Sequence, residues 1–203
     1  MNTEAEKKNV KADIKMNTEA IISKLFAGYD LPDQKLRNRF EFRNILPEEA
    51  DQANRIEQIC FPPHEACSEK MMLERIRTAP EMLMVAMDRQ TGKLAGFLSG
   101  LATNETVFRD EFFKDAGLHD PNGKCVMLLG LDVLPEYRGQ GLATEIMFEY
   151  FCREYERGRK ILFLTCLDEK VSMYKKMGYV DLGMSASVWG GESWHDMKCV
   201  ISE

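Results

Sequence analysis

The segment Leu131-Asp-Val-Leu-Pro-Glu-Tyr-Arg-Gly-Gln-Gly-Leu-Ala-Thr144 joins the end of an apolar run to the start of an amphipathic one. Two glycines at spacing two, Gly139 and Gly141, stand where the second run begins. Glycines there let successive backbone N–H groups approach an anion closely, and a helix N-terminus adds positive potential. The chemistry this predicts is a phosphate cradle. Stricter phosphate motifs do not fit: there is no G-x-x-x-x-G-K-[ST], and Gly139-x-Gly141 runs on to Thr144 rather than to a glycine or alanine. Taken alone, the spacing is equally that of a plain helix-start turn.

The surrounding pattern alternates element types. Phe40 to Ile45 alternates apolar and polar residues as a half-buried strand does, and Pro47-Glu-Glu opens a helix reaching about Ile59. Pro62-Pro63 ends that stretch; Ser68 caps a second helix over Lys70 to Arg77. Met82 to Asp88 and Lys93 to Leu101 form a hairpin turned by Gly92. Residues 104–123 read as a polar helical insertion carrying Phe108, Phe112 and Phe113. Cys125 to Leu134 is a doubly covered strand, and Gly141 to Arg157 a helix stopped by Gly158. Ile161 to Cys166 is strand, Glu169 to Lys176 helix, and Tyr179 to Trp189 and Trp194 to Ile201 strands. This order predicts a mixed α/β sheet of about seven strands with helices on both faces, parallel where helices cross over.

Residues 1–38 are polar and lysine-rich and contain MNTEA twice, at Met1 to Ala5 and Met16 to Ala20. They read as an N-terminal extension in which Asn17 or Thr18 caps a short helix over 19–27; the repeat also suits an alternative start at Met16. The main domain is then 39–203. With 203 residues, 44% apolar and 30% charged, the composition is that of an ordinary globular chain. It excludes disordered and fibrous classes. Apolar windows are too short for a membrane span or a signal peptide, which predicts a cytoplasmic protein. Six cysteines, spread singly, read as free thiols. The three histidines lack metal-ligand spacing, so no metal is expected. Net charge is −6; residues 1–40 hold eight Lys/Arg and six Asp/Glu, so the remainder stands at −8. That balance excludes an evident nucleic-acid footprint and favours cationic small molecules. Thirteen methionines, with Met71, Met72, Met82, Met84 and Met87 clustered, read as core filler or as an adaptable pocket wall.

Arg138-Gly-Gln-Gly141-Leu-Ala143 resembles the R/Q-x-x-G-x-G/A signature of the GNAT acetyltransferase superfamily, with Leu131 to Pro135 in the place of its fourth strand. Phe61-Pro-Pro-His-Glu-Ala-Cys-Ser68, Ala79-Pro-Glu81, Gly92 to Gly96 and Cys166 to Tyr179 further resemble the serotonin (arylalkylamine) N-acetyltransferase branch, over about residues 40–203. The resemblance implies a GNAT-like fold splayed between strands 4 and 5, with acetyl-CoA bound in the opening and no metal. Main-chain groups of Leu131, Asp132 and Val133 would pair with the pantetheine arm. Arg138, Gly139, Gln140, Gly141, Leu142, Ala143 and Thr144 would hold the pyrophosphate.

Direct transfer needs an amine lone pair, and an alkylammonium has a pKa of roughly 10, so its proton must be removed. Vertebrate enzymes of this branch use two histidines on the fourth strand, where this chain has Met127 and Leu129. Insect relatives use a glutamate after the first helix, a place taken here by Glu65; the bland alternative is a solvated loop carboxylate. Tyr174 occupies the position of the family's tyrosine, which protonates the leaving thiolate; otherwise it is a packing residue. Phe61, His64 and Met184 are the substrate-binding candidates, with Trp189 and Trp194 behind them. The expected activity is acetyl transfer from acetyl-CoA to a small, arylalkylamine-like primary amine, by a monomer or homodimer with neither nucleic-acid nor membrane partner. The alternatives are a protein or peptide N-acetyltransferase and a non-catalytic acetyl-CoA-binding module.

Overall fold

A computed structural model describes residues 4–202. Seven strands form one sheet in the order β1-β2-β3-β4-β5-β7-β6. They are β1 Phe40–Asn44, β2 Leu83–Asp88, β3 Lys93–Thr103, β4 Cys125–Val133, β5 Ile161–Cys166, β6 Val180–Met184 and β7 His195–Val200. The helices are α1 Glu4–Ser23, α2 Gln34–Arg39, α3 Ala50–Cys60, α4 Glu69–Thr78, α5 Glu111–Lys114, α6 Leu142–Glu156 and α7 Asp168–Lys176. This is the mixed α/β architecture expected from the pattern. Among the described residues no helix is long and apolar enough to cross a membrane.

Two apolar clusters cover the two faces of the sheet. One joins Ile146, Phe148 and Phe151 of α6 to Leu98, Val126 and Leu162 of the strands. The other joins Ala53 and Ile56 of α3 and Met72 and Ile76 of α4 to Val85 and Phe97. Ser68 caps α4, its hydroxyl accepting from the Met71 N–H at 3.3 Å. Gly92 takes φ +68° in the hairpin, a conformation costly for residues with a Cβ.

The β4-α6-β5 crossover makes β4 and β5 parallel, yet they pair only at Cys125↔Ile161, Val126↔Leu162 and Met127↔Phe163. Beyond Met127 the strands part. β4 stays paired with β3 as far as Val133, and β5 turns to β7 as far as Cys166. The result is a wedge with unpaired main-chain groups along one side of each strand.

Three local expectations change. The short helix over 19–27 is instead α1, which runs through Thr18; that residue is buried and its hydroxyl donates to the Ile14 carbonyl at 3.0 Å. A mid-helix threonine bonds back one turn rather than capping, and tertiary contacts on α6 hold the helix. Pro47 opens a 3-10 turn, with α3 proper starting at Ala50. The strand expected over 179–189 stops at Met184, where the pairing with β7 is bulged and Gly183 lies at φ +95°. A 3-10 turn at Trp189–Gly191 follows.

The N-terminal segment is fastened to α6 twice over. Phe26 meets Phe148 and Phe151 edge-on at 5.5 and 5.3 Å. Arg37 reaches Glu19, Glu145 and Glu149 at 2.9, 3.2 and 2.6 Å. Burial lifts the Glu145 carboxyl to about 7 against the pull of the Asp33 N–H and Arg37. Phe26→Ala should therefore cost about 3–5 kcal/mol of global stability. A urea midpoint equal to wild type would show that this anchor lies outside the cooperative core.

Candidate active site

β4 ends at Val133, and Pro135–Tyr137 makes a 3-10 turn into the glycine pair. Gly139 and Gly141 take φ +72° and +85°. A Cβ at Gly139 would stand in open space, and one at Gly141 would meet only Leu36 Cδ1, at 3.7 Å. The first backbone bond of α6 runs from the Glu145 N–H to the Gly141 carbonyl at 3.0 Å, so the N–H groups of Leu142, Ala143 and Thr144 have no partner within the helix. Leu142 and Thr144 are buried, and Ala143 between them lines the opening. The chain turns here as an anion cradle does, and these residues fit a pyrophosphate.

Side chains in the loop have other duties. Arg138 Nε donates to the Val133 carbonyl at 2.8 Å, and Cys60 Sγ donates to the same oxygen at 3.4 Å. Of the three residues expected to pair with pantetheine, Val133 thus has its carbonyl already taken. Gln140 Nε2 donates to the Glu136 carbonyl, and its Oε1 accepts from Arg39.

The wedge opens at Leu129. The β3–β4 register passes from Gly100↔Leu128 to Ser99↔Gly130 and skips Leu129, a bulge that re-aims the strand where it leaves β5. Met127 is fully buried, while Leu129 lines the cavity. Tyr174 of α7 lines the same wedge across from β4, beside Cys166. Its ring packs edge-on to Tyr179 at 5.7 Å. Burial, then the neighbouring Cys166 and Asp132, push its phenol well above the ordinary range, so it keeps its proton.

A cavity of about 470 Å³ extends from the wedge, walled by Phe61, Phe113, Trp189 and Trp194. Phe113 stacks on Trp189 at 4.8 Å and 27°. Trp189 Nε1 donates to the Glu65 carbonyl at 2.7 Å, tying the loop after β6 to the loop before α4. Glu65 also lines the cavity with its side chain 8% exposed; burial raises its carboxyl and nearby His64 offsets part of that. His64 is half-exposed at the rim, its Nε2 3.6 Å from Glu65 and 3.5 Å from Glu192. Met184 is displaced from the site. Alternation along β6 leaves Val180, Leu182 and Met184 on the solvent face, and Met184 is 65% exposed outside the cavity.

Beside the cavity are also two acids whose side chains the sequence pattern did not single out. Glu57 of α3 lines it, with Oε1 accepting from the Cys67 N–H at 2.9 Å. Its Oε2 and both carboxylate oxygens of Asp132 are buried without a hydrogen-bond partner among the described residues. The available signal was an acid on the apolar face of α3, one turn after Ala53, and an aspartate inside an apolar strand.

The family model for the acetyltransferase (GNAT) family matches residues 50–179. Among solved structures the chain is similar to the GphF GNAT-like decarboxylase in complex with isobutyryl-CoA, at 18% identity and TM-score 0.65 over 80% of this chain and 100% of that one. It is similar to the ribosomal-protein-S18-alanine N-acetyltransferase from Escherichia coli, at 17% and 0.59 over 81% and 95%. It is also similar to yncA from Salmonella typhimurium, solved with its cofactor acetyl-CoA, at 12% and 0.57 over 81% and 95%. At such identities the likeness is one of fold. No curated protein matches the chain significantly in sequence. The matched span takes in the wedge, the glycine cradle and Tyr174, and on that footing the chain belongs to the acetyltransferase (GNAT) family and is an acetyl-CoA-dependent N-acetyltransferase.

Proposed function

We propose that the chain transfers acetyl directly from acetyl-CoA to the primary amine of a small arylalkylamine-like substrate, in a cytoplasmic setting. The observation that carries this reading is the cavity itself: four aromatic walls around buried carboxylates, at the end of the wedge where the thioester would lie. Aromatic walls suit a ring and acids suit an ammonium. The Trp189–Glu65 bridge draws the loop after β6 onto the loop before α4 at the cavity wall, a narrowing that favours a short ligand over a protein N-terminus.

In this reading the main chain of Leu131, on the side of β4 away from β3, pairs with the amides of pantetheine, and the stretch from Gly139 to Thr144 receives the pyrophosphate. Tyr174, kept protonated by burial, donates to the departing CoA thiolate. Glu65, at the mouth and in contact with His64, hands the substrate's proton to solvent, directly or through water.

A panel of amines assayed for CoA release tests the reading. Tryptamine and phenethylamine should be turned over faster than polyamines or peptide N-termini; exclusive turnover of peptides would replace it with a protein acetyltransferase. Gly141→Asp should weaken acetyl-CoA at least tenfold by calorimetry, or about 1.4 kcal/mol. Gly141→Asn, which tolerates the left-handed backbone without the charge, should weaken it less; equal losses would point to backbone strain instead of the cradle. Tyr174→Phe keeps the ring and should lower kcat roughly 10²-fold with little change in acetyl-CoA affinity. Wild-type turnover across pH 6 to 9 would return Tyr174 to packing.

A further inference from the structure

Two acids at the cavity wall, Glu57 in its lining and Asp132 between the lining residues Leu131 and Val133, have side chains with no part in the machinery above. Glu57 and Asp132 are buried to 3% and 0% exposure, and three of their four oxygens lack a hydrogen-bond partner among the described residues. Gly130 stands between them and the cavity. A Cβ there would lie 3.1 Å from Asp132 Oδ2 and 3.7 Å from both Glu57 Oε2 and Phe61 Cε2. The missing side chain lets both carboxylates and an aromatic edge close in on the strand segment that borders the wedge.

The groups facing the pair come from every neighbouring element. Arg75 of α4 and Arg138 after β4 bring positive charge, but Arg75 donates to the Phe113 carbonyl at 2.9 Å and Arg138 to that of Val133 at 2.8 Å. Neither guanidinium bonds to the unpartnered oxygens. Cys60 of α3 is pushed up to about 11 and Cys67 to about 12 by burial, and Tyr174 is pushed higher still, so all three are neutral. Burial raises both carboxyls, and repulsion from Glu57 adds to its effect on Asp132, which stands well above its ordinary value. Two buried carboxylates this close cannot both ionise cheaply, and a pair of this kind titrates as a unit.

We propose that Glu57 and Asp132 hold one proton between them and accept the first proton of the substrate's ammonium. The inference rests on the small-amine reading, and it makes this pair, rather than Glu65, the acceptor that meets the reacting nitrogen. The balance is simple. An ammonium must lose two protons to become a secondary amide. The first passes to the pair and frees the lone pair; the N–C bond then forms at the thioester carbonyl as the C–S bond breaks. The second reaches the CoA sulfur through Tyr174. The pair returns its extra proton to water past Glu65, so each turnover releases CoA thiol and one proton.

Infrared difference spectra of the free protein at neutral pH should show the C=O stretch of a protonated buried carboxyl, lost in Asp132→Asn. With an amine the wild type acetylates, Asp132→Asn and Glu57→Gln should each lower kcat/KM roughly 10²-fold near pH 7, shrinking toward pH 10 where the amine arrives neutral. Acetyl-CoA affinity should not move. Glu65→Gln should cost less and keep the band. Absence of the band, a loss constant with pH, or a pH-dependent loss confined to Glu65→Gln would overturn the proposal. If the variants fail to fold, the wild type decides: growth of the band on adding tryptamine supports proton uptake, and no band overturns it. If the band is present but no amine is turned over, the amine reading fails and the shared proton stands.

Discussion

Everything in the site is placed by the early end of pairing between β4 and β5. Three residue pairs hold the parallel strands together, after which each keeps a neighbour on its other side only. A strand with one open edge carries unsatisfied N–H and C=O groups that must find partners. In this fold they face a wedge instead of water at large, so an extended amide-bearing ligand can complete the sheet. The same divergence sets the cradle at one end of the wedge, Tyr174 of α7 on the β5 side, and Glu57 of α3 beneath the β4 side.

Local chemistry was the legible part. The glycine pair before α6, the Ser68 cap and the Gly92 hairpin are each decided within a few residues, and each stands where the pattern put it. Longer-range features were not. The α1 helix is polar over most of its surface, and its anchors, Phe26 and the Arg37 cluster, find partners more than a hundred residues away. Propensity cannot foresee that support. Met184 was misplaced because alternation along a strand shows two faces without telling which one is covered. Glu57, and the side chain of Asp132 as distinct from its main chain, escaped notice for the converse reason: inside apolar patterns they read as exceptions, and only folding brings the two exceptions together.

The pair also illustrates where a fold departs from its own rules. Elsewhere buried charges have partners: Glu154 meets Arg153, Arg157 and Arg159, and Asp88 meets Arg39 and Tyr137. The unpartnered oxygens of Glu57 and Asp132 belong to a lining residue of the cavity and to its near neighbour, and local conflicts of this sort concentrate at functional sites.

Cys60, Cys67 and Cys166 line the same cavity, within the space where an acetyl thioester would react. A thiolate there would capture the acetyl group by transthioesterification and block the enzyme with its own product. Burial pushes the three thiols up to about 11, 12 and 12. At pH 7 the Cys60 thiolate is then about one part in ten thousand, against about three in a hundred for an ordinary thiol, and the other two are scarcer. The apolar packing that shapes the pocket thereby also protects it from self-acylation.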